Sequence, residues 1–171
     1  MINQEKIIGL IYYYVLLTGD TAFLDDTVHG QRIREHLILQ AMYGDDATQP
    51  IRLIDYGPSN SHLELRRAYA YHHVSPDLNA RRYANYLRAA TLCELAGQPA
   101  PYLRERAARL KPLLKERLWD PQARWFRFTD AQGQSDLRYT VQMFKAVGSG
   151  VFDPECETGL LSHLNEREFL S

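Results

Sequence analysis

SPDLNARRYANYLRAATLCELAGQPAPYLRERAARLKPLLKERL, Ser75 to Leu118, is the stretch on which the fold turns. Ser75 is an N-cap, Pro76 suits the first helical position, and Asp77 suits the positive end of a helix dipole. The segment therefore starts a helix sharply and runs to about Ala96, where Gly97 ends it. Its apolar residues (Leu78, Tyr83, Tyr86, Leu87, Ala89, Ala90, Leu92, Cys93, Leu95) are spread around the axis, so it is expected to be buried. After the short turn Gly97 to Ala100, a second helix spans Pro101 to Leu118. Here the apolar residues form one stripe (Leu103, Ala107, Leu110, Leu114, Leu118), and Arg104, Glu105, Arg106, Arg109, Lys115 and Glu116 occupy the other face. Pro112 inside it predicts a kink near Leu110. A buried helix followed by a solvent-facing one is the unit of the fold.

Working outward, the couplet recurs. Gln4 to Leu17 is apolar on all sides, with Tyr12, Tyr13 and Tyr14 completing it, and Thr18-Gly19-Asp20 ends it. A one-sided helix is expected from Val28 to Tyr43, with Ile33, Leu37, Ile38 and Met42 facing inward. A shorter couplet pairs Tyr139 to Val147 with Pro154 to Asn165. Turns inside a couplet are short, whereas the connections between couplets, Gly44 to Val74 and Trp119 to Arg138, are long. Down-and-up couplets bring every long connection to one rim, together with the N-termini of the buried helices, and function concentrates on such loops. Ala123 to Thr129 alternates, Asp130 to Gly133 is a turn, and Ser135 to Leu137 returns, which predicts a small β-hairpin. The fold class is all-α, three antiparallel helix hairpins with a β-hairpin in one long loop.

Composition narrows the function. The 171 residues carry a formal net charge of −1, which provides no general attraction to nucleic acid or an anionic membrane. Of 20 basic residues only Lys6, Lys111, Lys115 and Lys145 are Lys; the rest are Arg, which forks onto polar ligands. Eleven Tyr offer stacking faces with a hydroxyl. Ile7 to Leu17 is too short to span a bilayer, and no leader with a cleavage site flanks it. Cys93 and Cys156 form no CxxC pair, so two free thiols in a reduced, cytoplasmic compartment are expected.

The chemistry concentrates in Arg52 to His73. Gly57-Pro58 forces a turn between Asp55 and Glu64, so two carboxylates nine residues apart can converge on one pocket. A carboxylate pair supports acid/base hydrolysis of a glycosidic bond, one protonating the leaving oxygen and one activating water. A structural reading stands beside it, in which Asp55 caps the turn and Glu64 pairs with Arg66 or Arg67. Tyr56, Asn60, Arg66, Tyr71, His72, His73, Trp119 and Trp125 are the candidate substrate contacts. Neighbouring histidines on a helix diverge and no acidic partner stands at ligand spacing, so no metal and no other cofactor is expected. Arg52 to Arg88 holds six Arg against Asp55, Glu64 and Asp77. That local basic cluster is a weak case for nucleic acid in a chain whose remainder is acidic.

Several strings resemble the six-hairpin, or (α/α)6-toroid, glycosidase superfamily. Tyr13-Tyr-Val-Leu-Leu-Thr-Gly-Asp20-Thr-Ala-Phe-Leu24 is similar to its turn between paired helices. Asp55-Tyr-Gly with Leu63-Glu64 resembles the polar loop entering an inner helix. Leu118-Trp-Asp120 with Trp125-Phe126 resembles the exit from an outer helix, and Glu168-Phe-Leu-Ser171 the start of another loop. The resemblance implies a glycoside hydrolase acting on a carbohydrate. It also implies that residues 1–171 form a single partial toroid domain of about half a ring, either a piece of a longer chain or one of two copies that close the ring as a homodimer. Two other functions fit the helices: a protein-binding helical repeat, and a toroid epimerase or lyase with His72 or His73 as base.

Overall fold

A computed structural model describes residues 2–58 and 73–165. Five α-helices are described, with two 3-10 turns and three two-stranded antiparallel sheets among the connections. The chain divides into two compact units, Met1–Ile51 with Arg82–Arg109, and Arg52–Arg81 with Leu110–Ser171.

In the first unit, α1 (Ile2–Thr18) packs on α2 (Ile33–Ala41). Gly19, at φ 72°, closes α1 by donating its N–H to the Val15 carbonyl at 2.9 Å. Asp20 then accepts from the Tyr14 hydroxyl at 2.7 Å and from the Phe23 N–H at 3.2 Å. The Thr-Gly-Asp string is thus a stop signal followed by a cap. Full burial of α1 is not observed. Ile8 and Val15 are buried, but Leu10, Tyr13, Leu16 and Leu17 are exposed, Leu17 by 85%. Beyond α2, Arg88 lies over the Tyr13 ring and Phe23 packs edge-on to Tyr14, which leaves both tyrosines exposed.

The helix expected from Val28 begins later. Thr27–Val28 (β1) pairs with Gln31–Arg32 (β2) around His29 and Gly30, both at positive φ. That is the handedness a two-residue hairpin demands. α2 therefore starts at Ile33, with Glu35 reaching back to the Arg32 N–H at 3.0 Å. Arg34 is only 4% exposed and forms an ion pair with Asp25.

Helix α3 (Pro76–Leu95) contributes residues to both units. Only Glu94 and Leu95 along it are exposed, as its all-round apolar pattern predicts. It ends in a Schellman motif, in which Gly97 donates to the Glu94 carbonyl and Gln98 to that of Cys93. Helix α4 (Pro101–Leu118) runs through Pro112. Leu103, Ala107, Leu110, Leu114 and Leu118 are at most 2% exposed, and each buried Leu contributes about 2 kcal/mol. Within the first unit Arg104 ties α4 to α3 through Glu94 at 2.7 Å and Thr91 at 3.1 Å.

The second unit holds the aromatic core: Trp125, Phe126, Phe128, Met143 and Leu160 are nearly inaccessible. The long connection contains two hairpins where one was expected. Trp119–Asp120 (β3) pairs with Trp125–Phe126 (β4), and Phe128–Thr129 (β5) with Ser135–Asp136 (β6). Asp120 shapes the first by accepting from the Gln122 and Ala123 N–H groups, both at 2.9 Å. Trp125 and Phe126 are both buried, so β4 presents no solvent face. Tyr139 to Val147 is not an α-helix; only Val141–Ala146 forms a 3-10 turn. The last helix, α5 (Pro154–Leu161), starts at Asp153, whose carboxylate caps the Cys156 N–H at 2.9 Å. It ends four residues short of the expected Asn165.

Candidate functional site

The first long connection ends within the second unit, and its packing there positions Asp55. Asn79, completely buried on α3, donates through Nδ2 to the carbonyls of Ile54 (3.2 Å) and Ser75 (3.0 Å), and its Oδ1 accepts the Ile54 N–H at 2.9 Å. A buried amide with three such bonds is an anchor for backbone that has no sheet partner of its own. Two residues further on, the Tyr56 N–H donates to the His73 carbonyl and the His73 N–H to the Gly57 carbonyl, each at 2.8 Å. Val74 then pairs with Thr129 through bonds of 3.0 and 3.2 Å. The end of the first long connection thus meets the second.

This frame holds a carboxylate against an imidazole. His73 Nδ1 lies 2.9 Å from both carboxylate oxygens of Asp55, and Oδ1 also accepts the Gly57 N–H at 2.7 Å. The Asp55 side chain is 55% exposed and that of His73 21%, so the pair faces solvent on one side. His73 adopts φ 34°, an uncommon conformation for a side chain with a Cβ, sustained here by its two backbone bonds. Gly57 at φ 77° makes the reversal beside it.

The first turns of α3, just after His73 in the chain, hold a polar cluster. Asp77 is fully buried, accepts the Ser75 hydroxyl at 2.5 Å and forms an ion pair with Arg81 one turn along α3. The signal was present in the sequence: Asp and Asn two apart in the first turn of a helix expected to be buried must each be hydrogen-bonded.

The other candidates separate. Tyr56 is buried at 8% exposure. Trp125 is fully buried, donates its indole N–H to the Arg138 carbonyl at 2.9 Å and packs against Tyr139, Phe144 and His163. Trp119 packs at a tilt against Phe126, ring centroids 4.8 Å apart, and covers Gly159; its buried indole N–H has no partner among the described residues. Glu64, Asn60, Arg66, Tyr71 and His72 lie outside the described residues. Among the described residues no group of three His, Cys, Asp or Glu side chains converges on a metal position. No described helix is long and apolar enough to cross a membrane.

A cavity of about 310 Å³ in the same unit is lined by Lys111, Leu114, Lys115, Phe126, Phe152 and Cys156 among others. Both lysines are engaged, Lys111 with the Gly150 carbonyl at 2.6 Å and Lys115 with Asp153 and Glu155 at 2.7 and 2.6 Å. Burial, aided by the Asp153 carboxylate, pushes the Cys156 thiol up to about 12. A thiol so protonated is neither nucleophile nor metal ligand at neutral pH. The polar dyad, rather than this apolar cavity, is equipped to move a proton.

Comparison with known proteins bears on what that dyad serves. A family model described as the mannosylglycerate hydrolase MGH1-like glycoside hydrolase domain matches residues 21–166. No curated protein matches the chain. No solved structure matches it.

Proposed function

The chain belongs to the mannosylglycerate hydrolase MGH1-like glycoside hydrolase family, and from that premise we propose that it cleaves a glycosidic bond of a carbohydrate with Asp55 and Glu64 as its acid/base pair. The observation that carries the reading is the Asp55 carboxylate, held from one side by Gly57 N–H and His73 and open to solvent on the other. In this reading the exposed Asp55 carboxylate deprotonates a water molecule as that water attacks the anomeric carbon. Glu64, on the far side of the Gly57-Pro58 turn in sequence, protonates the departing oxygen. His73 orients Asp55, and Asn79 fixes the backbone from which Asp55 projects. The match to a mannosylglycerate hydrolase-like family favours a small glycoside as substrate. In this reading the helices are part of an (α/α) toroid whose functional rim includes Asp55.

Hydrolysis of mannosylglycerate and related glycosides by the full chain tests this. Asp55→Asn and Glu64→Gln are each expected to lower kcat by about 10²–10⁴-fold. Unchanged turnover in both variants would remove the assignment.

A second reading has an observation of its own. An imidazole backed by a carboxylate is also a competent base for abstracting a carbon-bound proton, as an epimerase or lyase needs. Proton NMR of the products separates the three: a reducing sugar with a released aglycone marks hydrolysis, an inverted centre epimerisation, and an unsaturated ring elimination.

A further inference from the structure

We propose that the first unit carries a second binding site, for a neutral pyranose or similar polyol, between the loop 47–51 and the first half of α4. A cavity of about 340 Å³ opens there, and Tyr102, Glu105, Arg106 and Arg109 line it from the helix. That volume is at the low end of small-molecule sites and suits a single sugar ring.

Its base is rigid. Arg106, 8% exposed, forks onto Asp45 through Nε and Nη2 at 2.6 and 2.5 Å, and its Nη1 donates to the Gln49 carbonyl at 3.1 Å. Tyr86 donates its hydroxyl to the same Asp45. Burial alone pushes the Asp45 carboxyl up, but the Arg106 and Tyr86 donors outweigh it and hold the group below the usual carboxylate range. An Asx turn then shapes the loop, with Asp46 accepting from the Thr48 N–H at 2.9 Å and its hydroxyl at 2.7 Å. The cavity is therefore held in shape from both walls before anything binds.

Its exposed groups are unspent. Glu105 and Arg109 stand four apart on one exposed helix, where opposite charges ordinarily pair. They do not pair, and neither has a hydrogen bond or ion pair among the described residues. The Tyr102 hydroxyl is likewise unengaged. A carboxylate acceptor, a guanidinium donor and a phenol beside its flat ring are the set that recognises adjacent hydroxyls on a ring with an apolar face. The free charges cancel, and Arg106 is already neutralised by Asp45, so the site favours a neutral ligand over an anion or cation. This site shares no residue with the Asp55 dyad, and the proposal is independent of the function assigned there.

Amide NMR of the full chain titrated with D-glucose, D-mannose or inorganic phosphate tests it. Saturable shifts at 47–51 and 102–109 are expected below about 100 mM sugar, the weak range of a ligand with few heavy atoms. They should persist in Asp55→Asn. They should weaken about tenfold or more in Glu105→Gln and Arg109→Ala, since each removes a hydrogen bond to a charged group. Both positions are exposed, and an unchanged amide spectrum elsewhere verifies the fold. The proposal is overturned if neither sugar shifts these amides, if phosphate alone does, or if both variants bind the sugars as the parent does.

Discussion

At the scale of single residues, His73 is the position where local cost and site geometry meet. Its φ of 34° is paid for by two backbone bonds, and the conformation aims Nδ1 between the Asp55 oxygens. His73→Ala removes the imidazole that orients Asp55 and leaves the Gly57 N–H bond in place, so kcat is expected to fall about 10²-fold with little change in KM, as for a small misplacement of a reacting group. His73→Asn should recover part of that loss, because Asn tolerates positive φ and its amide can donate to the carboxylate. Steady-state kinetics of the two variants check this. Equal loss in both, or a change confined to KM, would show that His73 contacts substrate rather than orienting Asp55.

At the scale of elements, α5 shows how a short helix is attached. A Cβ built on Gly159 would lie 2.6 Å from Trp119 Cη2 and 3.3 Å from Arg124 Cβ. An indole ring has no flexible end to yield, so Gly159→Ala is expected to cost about 1–3 kcal/mol, read from the urea midpoint. The N-terminus of α5 makes a second prediction. The Lys115 ammonium and the Cys156 N–H hold the Asp153 carboxyl down to about 2. A carboxyl depressed on folding stabilises the protein above its unfolded value of about 4, and that contribution is lost as pH falls toward 2. Stability should therefore drop between about pH 4 and 2, and less steeply in Asp153→Asn, since Asn keeps the cap without the charge. Parallel pH profiles for the two proteins would count against it. A helix expected from Val28 starts only at Ile33, because His29-Gly30, two consecutive positive-φ residues, make a turn that no helix accommodates and pair β1 with β2.

At the scale of the whole molecule, each unit contains one cysteine. Cys93 and Cys156 are both about 1% exposed and unpaired, and burial pushes both thiols upward. Neither should react with a disulfide reagent at pH 8 under native conditions. Because α3 and α4 each belong to both units, both thiols are expected to become reactive in one denaturant transition. Rapid labelling of either in the native protein, or two separate transitions, would contradict this.

What the sequence alone determined is local and periodic: the bounds of α3 and α4, the five-residue stripe of α4, the Gly19 and Gly97 stops, and the turn at Gly57. Each follows from spacing, caps and backbone freedom, which act within a few residues. Membership of a glycoside hydrolase family was also legible, because the order of turns and aromatic strings survives in one dimension. Only the tertiary structure brought His73 to Asp55, buried Arg34 and Arg106 against distant carboxylates, set Asn79 under Ile54, and left one side of α1 exposed. Those outcomes depend on which surfaces meet, and a pattern that marks a face as apolar or a residue as charged does not name its partner.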